Sequence, residues 1–281
     1  MNATTDWFSV TDLGGGWYRV SEAEGHFPCH SYVLEDGDEA LVVDTGLGVD
    51  DLRGVVEDLV GTDVRVLLTH AHWDHIGAAH QFDDVLIDER ERTPDGRVSI
   101  DGLTDESVER PAQFVAGWLE AGNEFPESFD PDSYEIRPVA DVEVVTPGET
   151  LRIGERELEL VATPGHSPGQ LAVLDREAGI CHGADVLEPG GTLYAHLEHS
   201  DVSAYRETVD RLIEYREAGA FDVLTLGHGE PIRGGDLAIL EDVATALAAI
   251  ERDDAPFETI ETHWGPTRRY DIGGIEVLTR A

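Results

Sequence analysis

The chain contains no lysine. All 19 of its basic residues are arginine, and they stand against 59 acidic residues, giving a formal net charge of -40 over 281 residues. An acidic excess of this size repels polyanions, which argues against nucleic acid and anionic membrane surfaces as partners. The same acid coat has a plainer meaning as an adaptation to molar salt, where the Debye length falls to about 3 Å and self-repulsion is screened. We read it that way: the charge points to a halophilic source and describes the solvent more than the substrate. Cysteine is almost missing too. Cys29 and Cys181 are too few and too far apart to suggest a disulfide framework, and they read as two small buried side chains. No apolar run approaches the roughly 20 residues of a membrane span, while 41% hydrophobic residues are enough for a substantial core. A soluble protein is therefore expected. The opening stretch MNATTDWFSVTDLGGG lacks the basic start and apolar centre of a secretory signal, so the expected location is cytoplasmic. Nor is there a polar linker, and one domain spanning 1–281 is the default.

The hydrophobic pattern that is present alternates between strands and helices. WYRVSEA (17–23), HSYVLEDG (30–37) and ALVVDTG (40–46) read as short strands separated by turns. Apolar residues at Leu52, Val55, Val56, Leu59 and Val60 predict a helix over 48–61, and VRVLLTH (64–70) follows as a buried strand. A short helix is expected through IGAAHQF, then a strand at 84–89. Residues 92–139 read as an insertion covering one edge of the domain, with a helix over 104–122 interrupted by Pro111 and then a loop. The remainder predicts strand hairpins turning at Gly154-Glu155 and near Glu177–Gly179, a helix over 203–219, a strand over 221–229, a helix over 236–252 and a closing strand, IEVLTR. Strands followed by a helix, twice over, suggest two sheets packed face to face with helices outside each.

Chemistry-bearing side chains gather at the ends of these strands. VLLTHAHWDHIG places His70, His72, Asp74 and His75 directly after an apolar run; TPGHSPG holds His166, CHGADVL holds Asp185, and LGHGEP holds His228. Each lies among small residues that let backbone approach a ligand closely. A lone histidine is usually a packing or surface residue, which is the reading for His26, His80, His182, His196, His199 and His263 taken singly. The spacing H-x-H-x-D-H is different, because burying those groups without partners would cost roughly several kcal/mol each. Imidazole and carboxylate donors suit zinc, iron or manganese, and seven of them exceed what one tetrahedral ion can use. Two ions sharing a bridge is the natural count.

On these motifs, and from the early strands through LGHGEP, the chain resembles the metallo-β-lactamase fold superfamily. The resemblance implies an α/β fold, the four-layer αββα sandwich of that type. It implies that His70, His72 and His166 hold one metal ion, that Asp74, His75 and His228 hold the second, and that Asp185 bridges them. Asp44, in VVDTG, matches a supporting carboxylate. The bridging aspartate favours the glyoxalase II and lactonase-like branch of hydrolases. The implied cofactor is two zinc ions, with iron or manganese as alternatives, and the implied activity is cleavage of a carboxylic ester, thioester or lactone by a metal-bridging hydroxide that Asp74 helps to orient. Tyr194, downstream of Asp185, is a candidate hydrogen-bond donor to a carbonyl or oxyanion, as a tyrosine is in the lactonases, although packing is an equal reading for it. Phe114, Trp118, Phe125 and Phe129 in the insertion either line a substrate pocket or pack their helix down. A mononuclear iron persulfide dioxygenase using His70, His166 and Asp185 is the competing enzyme class, and a regulatory domain with structural metals is a third. The partner expected is a small-molecule substrate; the acyl group and the oligomeric state stay open.

The charge yields a direct expectation. Diluting salt should lower the melting temperature and eventually unfold the protein as unscreened carboxylates repel. Thermal denaturation across a salt series measures this, and a melting temperature that is constant or higher in dilute buffer would contradict the halophilic reading.

Overall fold

The computed structural model describes residues 7–22, 28–61, 63–100, 105–262 and 264–281. It divides into two compact units, residues 1–146 with 152–157, and residues 147–151 with 158–281.

A seven-stranded sheet forms the first unit, its strands in sequence order: β1 (Phe8–Gly14), β2 (Trp17–Glu22), β3 (His30–Asp36), β4 (Glu39–Val43), β5 (Asp63–Leu67), β6 (Val85–Asp88) and β7 (Glu143–Val145). The first four pair antiparallel, β1 to β2 and β3 to β4 through two-residue turns, whereas β4, β5, β6 and β7 run parallel. Parallel neighbours need crossovers, and helix α1 (Leu52–Val60) supplies the one between β4 and β5. Its start falls four residues later than the sequence pattern predicts, because the Asp51 carboxylate caps it by accepting from the Gly54 amide at 2.9 Å. Gly61, at φ 63°, closes it in the left-handed conformation. Leu52, Val55 and Val56 of α1 are buried in a core that also takes Val33, Val42, Val66 and Ile87 from the strands and Leu68 just after β5.

Helix α2 (Trp73–Ile76) lies within the histidine motif, so the helical turn begins earlier than IGAAHQF and that segment holds only a 3-10 turn at Ala79–Gln81. Residues 89–100 and 105–142 lie outside the sheet, between the paired strands β6 and β7 in sequence. They include helix α3 (Asp105–Glu120), which runs through Pro111 where the sequence predicts an interruption. Downstream of the proline, Val115 is buried and Phe114 and Trp118 are half-buried against the core, which anchors the helix despite the missing amide.

Two sheets make up the second unit, apart from residues 152–157, which group with the first. One is built from β8 (Thr150–Ile153), β9 (Arg156–Ala162), β10 (Leu171–Asp175), β11 (Ile180–His182), β13 (Val223–Thr225) and β14 (Ile232–Arg233), in the order β14-β13-β11-β10-β9-β8. The other is built from β12 (Thr192–Ala195), β15 (Glu258–Thr262), β16 (Gly265–Ile272) and β17 (Ile275–Arg280), in the order β12-β17-β16-β15. Helices α4 (Val202–Glu217) and α5 (Ile239–Glu251) pack on one another and bury Tyr205, Val209, Leu212, Val243 and Leu247. Among the described residues a third sheet, of four strands, therefore adds to the two expected. Only Thr267 and Tyr270 of β16 are buried and none of β15 is, so those strands carry almost none of the apolar alternation that betrays a strand. The hairpin turns at Gly154-Glu155 and at 176–179 stand where the sequence places them. Among the described residues no helix is long and apolar enough to cross a membrane.

Candidate metal centre

In the first unit the site grows out of a parallel strand pair. β4 and β5 run side by side with Val43 opposite Leu67, so Asp44 and the Leu68-Thr69-His70 segment emerge together at their C-terminal ends. Asp44 sits at φ 60°, a left-handed conformation that aspartate tolerates better than most residues. There it turns a fully buried carboxylate back onto the neighbouring strand. Its Oδ1 accepts from the Thr69 amide at 2.7 Å, and its Oδ2 accepts from Thr69 Oγ1 at 2.7 Å and His75 Nδ1 at 2.8 Å.

These bonds decide which ring nitrogens offer a lone pair. An ionised carboxylate only accepts, so His75 carries its proton on Nδ1 and presents the Nε2 lone pair. Thr69 has one hydroxyl proton, committed to Asp44, so the 3.0 Å contact between Thr69 Oγ1 and His70 Nδ1 makes the imidazole the donor. His70 likewise keeps its lone pair on Nε2, which lies 3.0 Å from His72 Nδ1. The His70 ring centre lies 4.5 Å from that of His72 and 4.1 Å from that of His75. Asp74 is buried in α2 on the same short turn. Around this turn the chain is fastened at several points: Thr45 amide and hydroxyl both donate to the His75 carbonyl, and the Ala71 amide donates to the buried Glu91 carboxylate at 3.0 Å. A Cβ on Gly77 would lie 2.2 Å from the Leu47 carbonyl carbon, so only glycine lets those two loops meet.

The second unit repeats the device. β11 and β13 are parallel neighbours, and Asp185 and His228 follow their C-terminal ends, cross-linked by Gly183 N–H to the Thr225 carbonyl at 2.8 Å and Gly227 N–H to the Ala184 carbonyl at 3.0 Å. Ala184 takes a positive φ of 52° just before Asp185, as Asp44 does after β4. His166 follows β9. Its Nδ1 donates to the Tyr194 carbonyl at 3.1 Å, which again leaves the lone pair on Nε2, 3.4 Å from Asp185 Oδ2. His228 Nε2 lies 3.6 Å from that same oxygen. Two imidazole nitrogens sharing one carboxylate oxygen at these distances is an arrangement that a bound cation would satisfy. Helix α4 holds the two loops: the Tyr205 hydroxyl donates to the Asp185 carbonyl at 2.6 Å and Thr208 Oγ1 to the Pro164 carbonyl at 2.7 Å.

Each unit thus carries buried ligand-type atoms of the kind that hold a metal ion. The donor set fits one: imidazole nitrogens whose second nitrogen is tied to a carboxylate, hydroxyl or carbonyl are the arrangement that fixes ring orientation at metal centres. Within its own unit, each of the seven expected ligands lies at the end of a strand or on the turn that follows it. Tyr194, singled out for its hydroxyl, contributes its backbone carbonyl to His166, and its ring stands edge-on to His196 at 5.5 Å. His182 bonds Thr225 inside the sheet and His80 the Gly77 carbonyl, both packing roles. His26 and His263 lie outside the described residues. Phe114, Trp118, Phe125 and Phe129 stack with one another and with Trp7, Trp73 and Tyr134, so they pack the insertion down.

Several supporting residues escape sequence reasoning. Thr69, Glu91, Tyr205 and Glu22 have no motif of their own. Glu22 is buried, accepting from Trp7 Nε1 at 2.8 Å and the Leu47 amide at 2.6 Å, and burial pushes its carboxyl up to about 7 despite those bonds. The one available signal was an acidic residue at the end of a predicted strand, which is too common to single out.

Fold and donor set together define a metallo-hydrolase. The chain belongs to the metallo-β-lactamase superfamily, whose family model matches residues 25–221, more than half of its length. It is similar to the acyl-coenzyme A thioesterase MBLAC2 of Homo sapiens, 26% identical over 241 residues covering 79% of this chain and 81% of that one. The Gallus gallus protein of the same name is 28% identical over 238 residues, with the same coverage. Among solved structures, a metallo-β-lactamase family protein from Thermus thermophilus superposes with a TM-score of 0.59 at 21% identity, covering 86% of this chain and 82% of that one. A metallo-β-lactamase from Pontibacter korlensis gives 0.58 at 17% identity over 86% and 99%. The architecture is the mixed α/β fold of that superfamily.

Asp44→Asn tests the support. Asparagine keeps the shape and tolerates the left-handed backbone, but its NH2 would face the Thr69 hydroxyl and His75 Nδ1, both donors. Metal affinity measured by chelator competition should fall about ten- to a hundredfold. An unchanged affinity would show that Asp44 does not orient these ligands.

Proposed function

We propose that the two clusters together hold two zinc ions and that the enzyme hydrolyses a carboxylic thioester, ester or lactone, with a small acyl thioester as the first substrate to try. In this reading His70, His72 and His166 hold one ion, Asp74, His75 and His228 hold the other, and Asp185 is shared. The observation that carries it is the orientation of the rings: in both units protein acceptors hold Nδ1 of His70, His75 and His166, and Nε2 of His70 and of His166 lies beside another ligand-type atom, His72 Nδ1 and Asp185 Oδ2. The thioester preference is supported by the similarity to proteins named acyl-coenzyme A thioesterases.

Bound there, two divalent cations would polarise the substrate carbonyl and bring the pKa of a water near neutrality. The chain's own groups do the rest. Asp74 accepts a hydrogen bond from the attacking water and sets its direction. As the water oxygen bonds to the acyl carbon, the carbon–sulfur or carbon–oxygen bond breaks, and the water proton ends on the departing thiolate or alkoxide. The Tyr194 hydroxyl donates to the oxygen that gains charge, while its carbonyl keeps His166 aligned. Neither thiol serves as a nucleophile. The acid-coated, lysine-free surface suits a salt-rich cytoplasm, with a small molecule as the partner.

Metal-replete protein in high salt should hydrolyse at least one member of a panel of thioesters, esters and lactones without consuming oxygen. His228→Ala should lower kcat by about a hundredfold or more, the scale seen when one electrostatic stabiliser is removed. Oxygen uptake matched to persulfide consumption, and surviving that substitution, would replace this reading with the dioxygenase one.

A further inference from the structure

We propose that Cys29 is a thiolate ligand of the ion held by Asp74, an assignment that rests on the metal centre proposed above. Its Sγ lies within 4.8 Å of an Asp74 carboxylate oxygen, and both residues are buried, at 1% and 7% exposure. Neighbouring donor atoms about 2.3 Å (sulfur) and 2.0–2.2 Å (oxygen) from one ion stand roughly 3–3.6 Å apart, so the pair falls within reach of a shared ion. Both are well fixed. Cys29 immediately precedes β3, and its carbonyl accepts from the Glu22 amide at 3.1 Å, while Asp74 is locked into α2 between two of the motif histidines.

The chain supplies its own contrast. Cys181 lies inside β11, in a core with Leu174, Val186 and Leu224, and burial pushes its thiol up to about 12. That is a cysteine used as a small apolar side chain. Cys29 instead sets a soft sulfur beside a carboxylate of the metal-ligand motif. On ligation the S–H bond breaks, its proton leaves to solvent, and the sulfur lone pair bonds the cation; no electrons change hands. A thiolate makes the position of Asp74 favour zinc over manganese or magnesium.

The full-length protein is stripped of metal by chelation in high salt and titrated with cobalt(II), recording absorbance. Visible ligand-field bands report binding, and a near-ultraviolet sulfur-to-cobalt charge-transfer band reports the thiolate. Wild type and Cys181→Ser should both show the charge-transfer band, and Cys29→Ser should lose it while keeping the visible bands. Its absence from wild type, or its survival in Cys29→Ser, would overturn the assignment and leave the metal centre standing. Absence of all cobalt bands would remove the metal centre and this ligand together. X-ray absorption at the zinc edge of wild type avoids any dependence on the folding of variants: a sulfur scatterer at about 2.3 Å is expected, and a shell of nitrogen and oxygen alone contradicts it.

Discussion

Asp44 accepts three hydrogen bonds with two oxygens, and the chemistry of the first unit depends on where they go. One stitches β4 to the strand beside it through the Thr69 amide; the other two set the proton positions of His75 directly and of His70 through the Thr69 hydroxyl. The carboxylate is fully buried, so its charge must be met by donors held in place and not by water. The strained φ of Asp44, the parallel pairing of β4 and β5 and the helical turn that returns His75 to it are three conditions for the same small network.

The second unit meets the same demand with different atoms. A parallel pair, β11 and β13, again presents ligand-type residues from neighbouring strand ends, and again a residue with positive φ turns the chain just there. The orienting acceptor for His166 is a backbone carbonyl, not a carboxylate, and a buried tyrosine from α4 steadies the Asp185 loop. Parallel strands suit this purpose because their C-terminal ends lie side by side, which gathers residues far apart in sequence with little loop between strand and ligand.

How much of this could be read from the sequence depends on the density of the signal. The motif at 70–75 was legible because four ligand-type residues in six positions have no good packing explanation, and the glycine-flanked His166, Asp185 and His228 follow apolar strands in a matching order. Thr69, Glu91, Glu22 and Tyr205 were not legible, since each acts through hydrogen bonds that only the fold creates. The contact of the Tyr194 carbonyl with His166 was not legible either, since a backbone acceptor leaves no mark in the side-chain pattern. The third sheet was hidden because β15 and β16 face solvent with charged residues, so hydrophobic periodicity is nearly silent there. Pro111 misled in the other direction, as the packing of Phe114, Val115 and Trp118 outweighs one lost amide.

What the proposed chemistry requires above all is two cations in each chain. Elemental analysis of protein purified in high salt and equilibrated with zinc, combined with the protein concentration from absorbance, measures this directly. The account predicts about two zinc ions per chain, falling to about one in Asp185→Asn, where the anionic bridge is lost but its shape is kept. A reproducible value near one for the wild type, unmoved by added metal, would contradict it.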